Sequence, residues 1–183
     1  MLKIEDEKIY NERILNVVSQ KRIQHHIQEF FLDVDNIHGF PHWLRVAYNG
    51  LMLADNEKVS DNIVVLFAFF HDIKRFDDGF DPEHGKRGGD YLLDRAKYLN
   101  KNISREEIEL AAKACATHTD GLITGVKEIG VCWDADRLDL YRVGLVPKDL
   151  YLSTDTAQMS KVKEWADRSF ISSYNKKLAF PFK

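Results

Sequence analysis

The sequence is poor in cysteine. Cys115 and Cys132 are the only two in 183 residues, and they lie far apart with no CxxC spacing. That excludes a disulfide framework and a zinc ribbon. Glycine and proline are also scarce, at 10 and 4 residues, and they cluster at Gly39–Pro41, Gly79–Gly89 and Gly121–Gly130. No repeat, linker or low-complexity tract separates one part of the chain from another, so a single domain over residues 1–183 is expected. The longest apolar run, Ile63 to Phe70, is too short to span a bilayer. The opening MLKIEDEKIYNERI is charged throughout and lacks a secretory apolar stretch. Net charge is −3 with signs mixed, so no basic face argues for a nucleic acid polymer as partner. No GxSxG elbow and no P-loop is found. A reduced, cytoplasmic protein without membrane attachment is the expectation, and oligomeric state is left open.

Charged residues make up 30% of the chain and apolar ones 44%, enough for a substantial core. The segments between the glycine clusters have helical periodicity. Ile9, Ile14, Leu15 and Val18 share a spacing over Ile4 to about Val18. Ile23, Ile27, Phe30 and Phe31 do so over Lys21 to Leu32. Leu44, Val46, Ala47, Leu51 and Met52 follow between Trp43 and Ala54. Asp61 suits an N-cap for Asn62–His71, Pro82 suits the start of a helix running to about Leu99, and Ser104 with Glu107 has capping-box spacing. A further helix falls within VKEIGVCWDADRLDLYRVG and stops near Gly144. No sustained strand alternation is present, so the expected class is all-α.

The run NIVVLFAFFHD poses a chemical problem. A helix apolar on every side is surrounded by other helices. Its C-terminal end carries a partial negative charge, yet the chain places His71 and Asp72 there. A carboxylate at that end needs a cation: Lys74, Arg75 or a metal ion. Histidines and aspartates recur at other expected helix ends, at His42, His84, His118, Asp134 and Asp136. Imidazole nitrogens with carboxylate oxygens are the donor set of Mn, Fe, Co, Ni or Zn, and less typically of Mg.

The order His42 … His71-Asp72 … Asp136 resembles the H…HD…D signature of the HD-domain superfamily of helical metal-dependent phosphohydrolases. HWLRV resembles the opening of the family's first ligand helix, and ADRLD the segment that carries its last aspartate. The resemblance covers roughly His38 to Thr156, and with HGFPHWLRVAYNGLMLA, DPEHGKRGG and DADRLDLYRVGLVP it points to an uncharacterised bacterial branch. It implies an HD-type helical bundle with His42, His71, Asp72 and Asp136 as ligands of a divalent metal. It implies hydrolysis of a small phosphorylated metabolite, with nucleotides the leading class, by metal-activated hydroxide. His84 and His118 stand where dinuclear relatives place two more ligands, with Asp72 then bridging two ions; they also stand where mononuclear relatives contact substrate. One ion or two is therefore left open. The same six-ligand pattern serves di-iron oxygenases of the superfamily, and a non-catalytic nucleotide sensor is a third alternative.

Lys74, Arg75, Lys86 and Arg87 are candidate partners of the substrate phosphate, with one or two of the four expected to face the cleft. Arg45 is expected to pair with a buried carboxylate near the site, and Arg137 with Asp139. His38 is expected to support the site rather than ligate. Asp134 is a candidate for orienting a ligand. His25-His26 read as a solvated face, Asp77 and Asp78 as a solvated loop, and Gly88-Gly89 as close helix packing. Trp133, Tyr141 and the C-terminal FISSYNKKLAFPFK read as packing.

Overall fold

The computed structural model describes the backbone of residues 4–176 and the side chains of residues 7–169. Nine α-helices and three short 3-10 turns are its regular elements, and no strand occurs among the described residues. The helices are α1 (Ile4–Val17), α2 (Gln20–Glu29), α3 (Phe40–Glu57), α4 (Asp61–Phe70), α5 (His84–Arg95), α6 (Arg105–Thr117), α7 (Lys127–Arg137), α8 (Asp155–Gln158) and α9 (Ser160–Lys176). The run Phe170–Lys183, expected to pack at the chain end, lies outside the described side chains.

The centre of the bundle is α4. All eight residues from Ile63 to Phe70 are buried, and the helix touches α1, α3, α5, α6 and α7. Its N-cap is Ser60 rather than Asp61: the Ser60 side chain accepts from the Asn62 amide, while Asp61 opens the helix and accepts from Arg13 at 2.6 Å. Removing an unpaired amide is worth about 1 kcal/mol. α6 begins with the expected capping box, Ser104 and Glu107 satisfying each other's backbone amides. α5 begins at His84, two residues after Pro82, and ends at Arg95, where a 3-10 turn, Ala96–Tyr98, takes over. After α7 another 3-10 turn, Leu138–Val143, ends at Gly144 with φ 74°.

Glycine sets how closely α5 approaches its neighbours. A Cβ on Gly88 would strike the Phe70 carbonyl oxygen and lie 2.8 Å from that of His71. One on Gly85 would strike the Cys115 carbonyl oxygen. α5 is thereby seated on the end of α4 and on α6, which brings His84 to His118.

His26 departs from the expected solvated face. It is fully buried, edge-on to Phe70 at 4.5 Å and near Tyr91 at 6.0 Å, and neither ring nitrogen has a hydrogen-bond partner. Burial pushes its pKa down to about 3, with the charges of Arg22 and His25 adding to the effect. The folded state thus holds His26 neutral, whereas the unfolded chain protonates it below about 6.5, so stability declines as pH falls from there toward 3. His26→Leu removes the unpaired nitrogens at similar volume. We expect it to stabilise the fold by roughly 1–3 kcal/mol at pH 7.5. The advantage over the parent should widen as the pH is lowered. Urea denaturation of both proteins at pH 7.5 and at about pH 5, below the unfolded-state pKa, checks this; an equal advantage at the two would contradict it.

Candidate metal centre

Five helix ends converge on one point. His42 lies in the first turn of α3, His71 caps α4 with Asp72 next in the chain, and Asp136 sits in the last turn of α7. His42 Nε2 is 3.0 Å from His71 Nε2, 3.7 Å from Asp72 Oδ2 and 3.4 Å from Asp136 Oδ1. His71 Nε2 is 3.6 Å from Asp72 Oδ2 and 3.9 Å from Asp136 Oδ1. The other Asp72 oxygen faces a second group: Oδ1 is 3.1 Å from His84 Nε2 and 3.9 Å from His118 Nε2, and those two nitrogens are 3.0 Å apart. Donor atoms of His42, His71 and Asp72 lie within 4.8 Å of one another, as do those of Asp72, His84 and His118. Asp72 therefore belongs to both groups. All but Asp136 are nearly sealed from solvent; its side chain is 19% exposed, so the cluster opens on that side.

The tautomers follow from the far side of each ring. His71 Nδ1 faces the Ala68 carbonyl at 3.1 Å, His118 Nδ1 the Cys115 carbonyl at 2.7 Å, and His84 Nδ1 the Asp81 carbonyl. A carbonyl only accepts, so each Nδ1 carries the proton. His42 Nδ1 donates to Asp139 Oδ2 at 2.7 Å. Each ring then turns its Nε2 into the cluster, in two pairs 3.0 Å apart; His84 Nε2 accepts from Arg75, and the other three meet no hydrogen-bond donor beyond the facing ring among the described residues. Asp72 Oδ1 likewise has no hydrogen-bond donor assigned to it. Imidazole nitrogens gathered at this distance about a carboxylate are a donor set suited to a cation. Distal Nδ1–H groups held by carbonyls or a carboxylate are the arrangement by which proteins orient metal-binding imidazoles. The residues present fit a divalent metal ion.

The electrostatics agree. Burial raises the Asp72 carboxyl, but the imidazoles of His71, His38 and His84 more than offset it and hold the group well below the usual range. Burial likewise raises Asp136, outweighed by His42, His71 and Arg142, so it too stays ionised. Burial pushes His71 down to about 3 and lowers His118. Two carboxylates held low, beside the lowered imidazoles of His71 and His118, make a centre suited to a cation.

His38 donates from Nδ1 to Asp72 Oδ2 at 3.0 Å, a supporting role as expected. Arg45 meets its buried carboxylate in Asp139, at 2.6 Å, so Asp139 is tied to both Arg45 and His42. The expected Arg137–Asp139 pairing is replaced: Arg137 donates to the carbonyls of Gly121, Leu122 and Tyr151, because the shared turn points the two side chains apart. Asp134 orients no ligand. It accepts from the amides of Ser153 and Thr154 at 2.7 and 2.8 Å and anchors the chain ahead of α8. Burial raises its pKa.

Of the four candidate cations, Arg75 reaches the cluster. Its Nη1 donates to His84 Nε2 at 3.0 Å and is 3.5 Å from Asp72 Oδ1. Lys74 pairs with Glu29 and lies over the Tyr91 ring; Arg87 pairs with Asp81 and lies over Phe76; Lys86 pairs with Asp90 on the surface. Asp77 and Asp78 lie on an exposed loop, the latter accepting from Asn36. Arg142, not singled out in the sequence, stands 3.9 Å from Asp136 Oδ1 and donates to the carbonyls of Ile37 and Asp139. Set against protein-family models, curated proteins and solved structures, the chain matches none of them.

Proposed function

We propose that the chain is an HD-type metal-dependent phosphohydrolase acting on a small phosphorylated metabolite, with nucleotides the leading class. The observation that carries the reading is the gathering of four imidazole Nε2 atoms, in two pairs, around a shared Asp72. It supports a bound cation, and the His–Asp ligand order supports the family. His42, His71, Asp72 and Asp136 would hold the ion. When bound, it supplies a water of lowered pKa and a Lewis acid for a phosphoryl oxygen. The chain's own residues do the rest. Asp139 holds His42 in its ligating tautomer and orientation. Asp136, the most solvent-facing of the six, lies where substrate enters. Arg142 brings fixed positive charge beside Asp136, and Arg75 beside Asp72, suited to a phosphate dianion. The buried, unpaired thiols of Cys115 and Cys132 fit a reducing, cytoplasmic setting.

Protein purified without added metal should retain a divalent ion by elemental analysis. A panel of phosphomonoesters, nucleotides and phosphodiesters should then release phosphate or alcohol with Mn, Co, Ni or Mg. Retained iron with dioxygen consumption and no phosphoester cleavage would replace this reading by the di-iron oxygenase, for which the splitting of six ligands about Asp72 is the favouring observation. Nucleotide binding without turnover under every metal would replace it by a sensor.

A further inference from the structure

The two halves of the cluster are not equivalent. On the side of His42, His71 and Asp136, the Arg142 guanidinium stands 3.9 Å from Asp136 Oδ1, and no hydrogen bond from a guanidinium to the Nε2 of either histidine is formed among the described residues. Around His84 and His118 a guanidinium is already in place. Arg75 Nη1 donates to the one lone pair that His84 can offer, since the opposite nitrogen faces the Asp81 carbonyl. The rest of the arginine is fastened: Nε donates to the Asp77 carbonyl and Nη2 to the Gly79 carbonyl, both at 2.9 Å, and the residue is 7% exposed. Its position is thus built by the loop after α4.

We infer that Arg75 is an internal competitor for the second cation, so that the His84–His118–Asp72 group takes a metal ion only weakly and the protein works with one tightly held ion beside a fixed guanidinium. This rests on the reading of the cluster as a metal site. An ion bound by His84 needs the electron pair that Arg75 Nη1 uses, and would have to displace that N–H or sit against its charge. The contest is over one atom, so it follows from geometry without any change in protonation.

Titration of the metal-free protein with Mn²⁺, followed calorimetrically and by electron paramagnetic resonance, tests it. The parent should bind one equivalent tightly, with the spectrum of an isolated ion, and a second only at much higher concentration. Arg75→Met should tighten the second step by roughly 10- to 100-fold, the worth of a hydrogen bond from a charged donor, and should give the signal of a coupled Mn pair. Adding His118→Ala to Arg75→Met should abolish that gain. Should Arg75→Met not fold, the parent protein still decides: its weak second step should vanish in His118→Ala while the tight step persists. Two equally tight equivalents in the parent, or one equivalent with or without Arg75, would overturn the inference and leave the metal site standing. Absence of Mn²⁺ binding in every form, with no other divalent metal retained, would overturn both.

Discussion

Asp72→Asn is expected to remove bound metal and phosphoester hydrolysis together. Both carboxylate oxygens are engaged, Oδ2 toward His42 and His71 and Oδ1 toward His84 and His118. Asparagine keeps the shape but turns one oxygen into an N–H₂ donor and removes the charge, so the imidazoles lose the anion that a divalent cation needs among them. The fall in activity should exceed the roughly 10- to 100-fold that loss of an outer partner produces. Asp139→Asn supplies that comparison, because Asp139 reaches the centre through the His42 ring, with Arg45 and Arg142 as its other partners. Elemental analysis and turnover measured on both variants check the ranking, with circular dichroism to show the helices intact. Full metal retention in Asp72→Asn would remove the basis of the enzymatic reading.

Chelation should lower thermal stability strongly. In the metal-free protein imidazole Nε2 atoms lie 3.0 Å apart at two places, inside a buried centre. An ion that binds the folded form alone adds RT ln(1 + [M]/Kd), about 4 kcal/mol at a thousandfold excess over Kd. For a chain of 183 residues, at roughly 2–4 °C per kcal/mol, this is a rise of about 8–16 °C. Scanning calorimetry with EDTA, and then with graded Mn²⁺, reads the shift directly. A melting temperature that ignores both would count against a folded-state ion site.

Much of this was visible in the sequence because apolar patterning and ligand order are local properties. The unbroken Ile63–Phe70 run announces a helix enclosed on all sides, and α4 is one. Ser104 and Glu107 announce a capping box, and it forms. His26 shows where residue type misleads. Its spacing from Ile23 and Phe30 places it on the apolar stripe, and the stripe prevails over the polarity of the ring. Asp61 loses the cap to Ser60 because its partner, Arg13, is 48 residues away and becomes a neighbour only after α1 packs on α4. The pairing of Arg45 with Asp139 across 94 residues was hidden for the same reason. The groups that fix three of the four imidazoles are backbone carbonyls, of Ala68, Asp81 and Cys115. Every residue has a carbonyl, so no letter in the sequence marks these. That Arg75 and not Lys74 or Arg87 turns inward depends on the carbonyls of Asp77 and Gly79 in the loop that follows.

The enclosure of α4 has a kinetic side. A helix hemmed in by five others belongs to the most protected part of the fold, so its last turn opens rarely. His71 and Asp72 ride on that turn. An ion held as proposed would exchange past Asp136, the member of the cluster most open to water among the described residues.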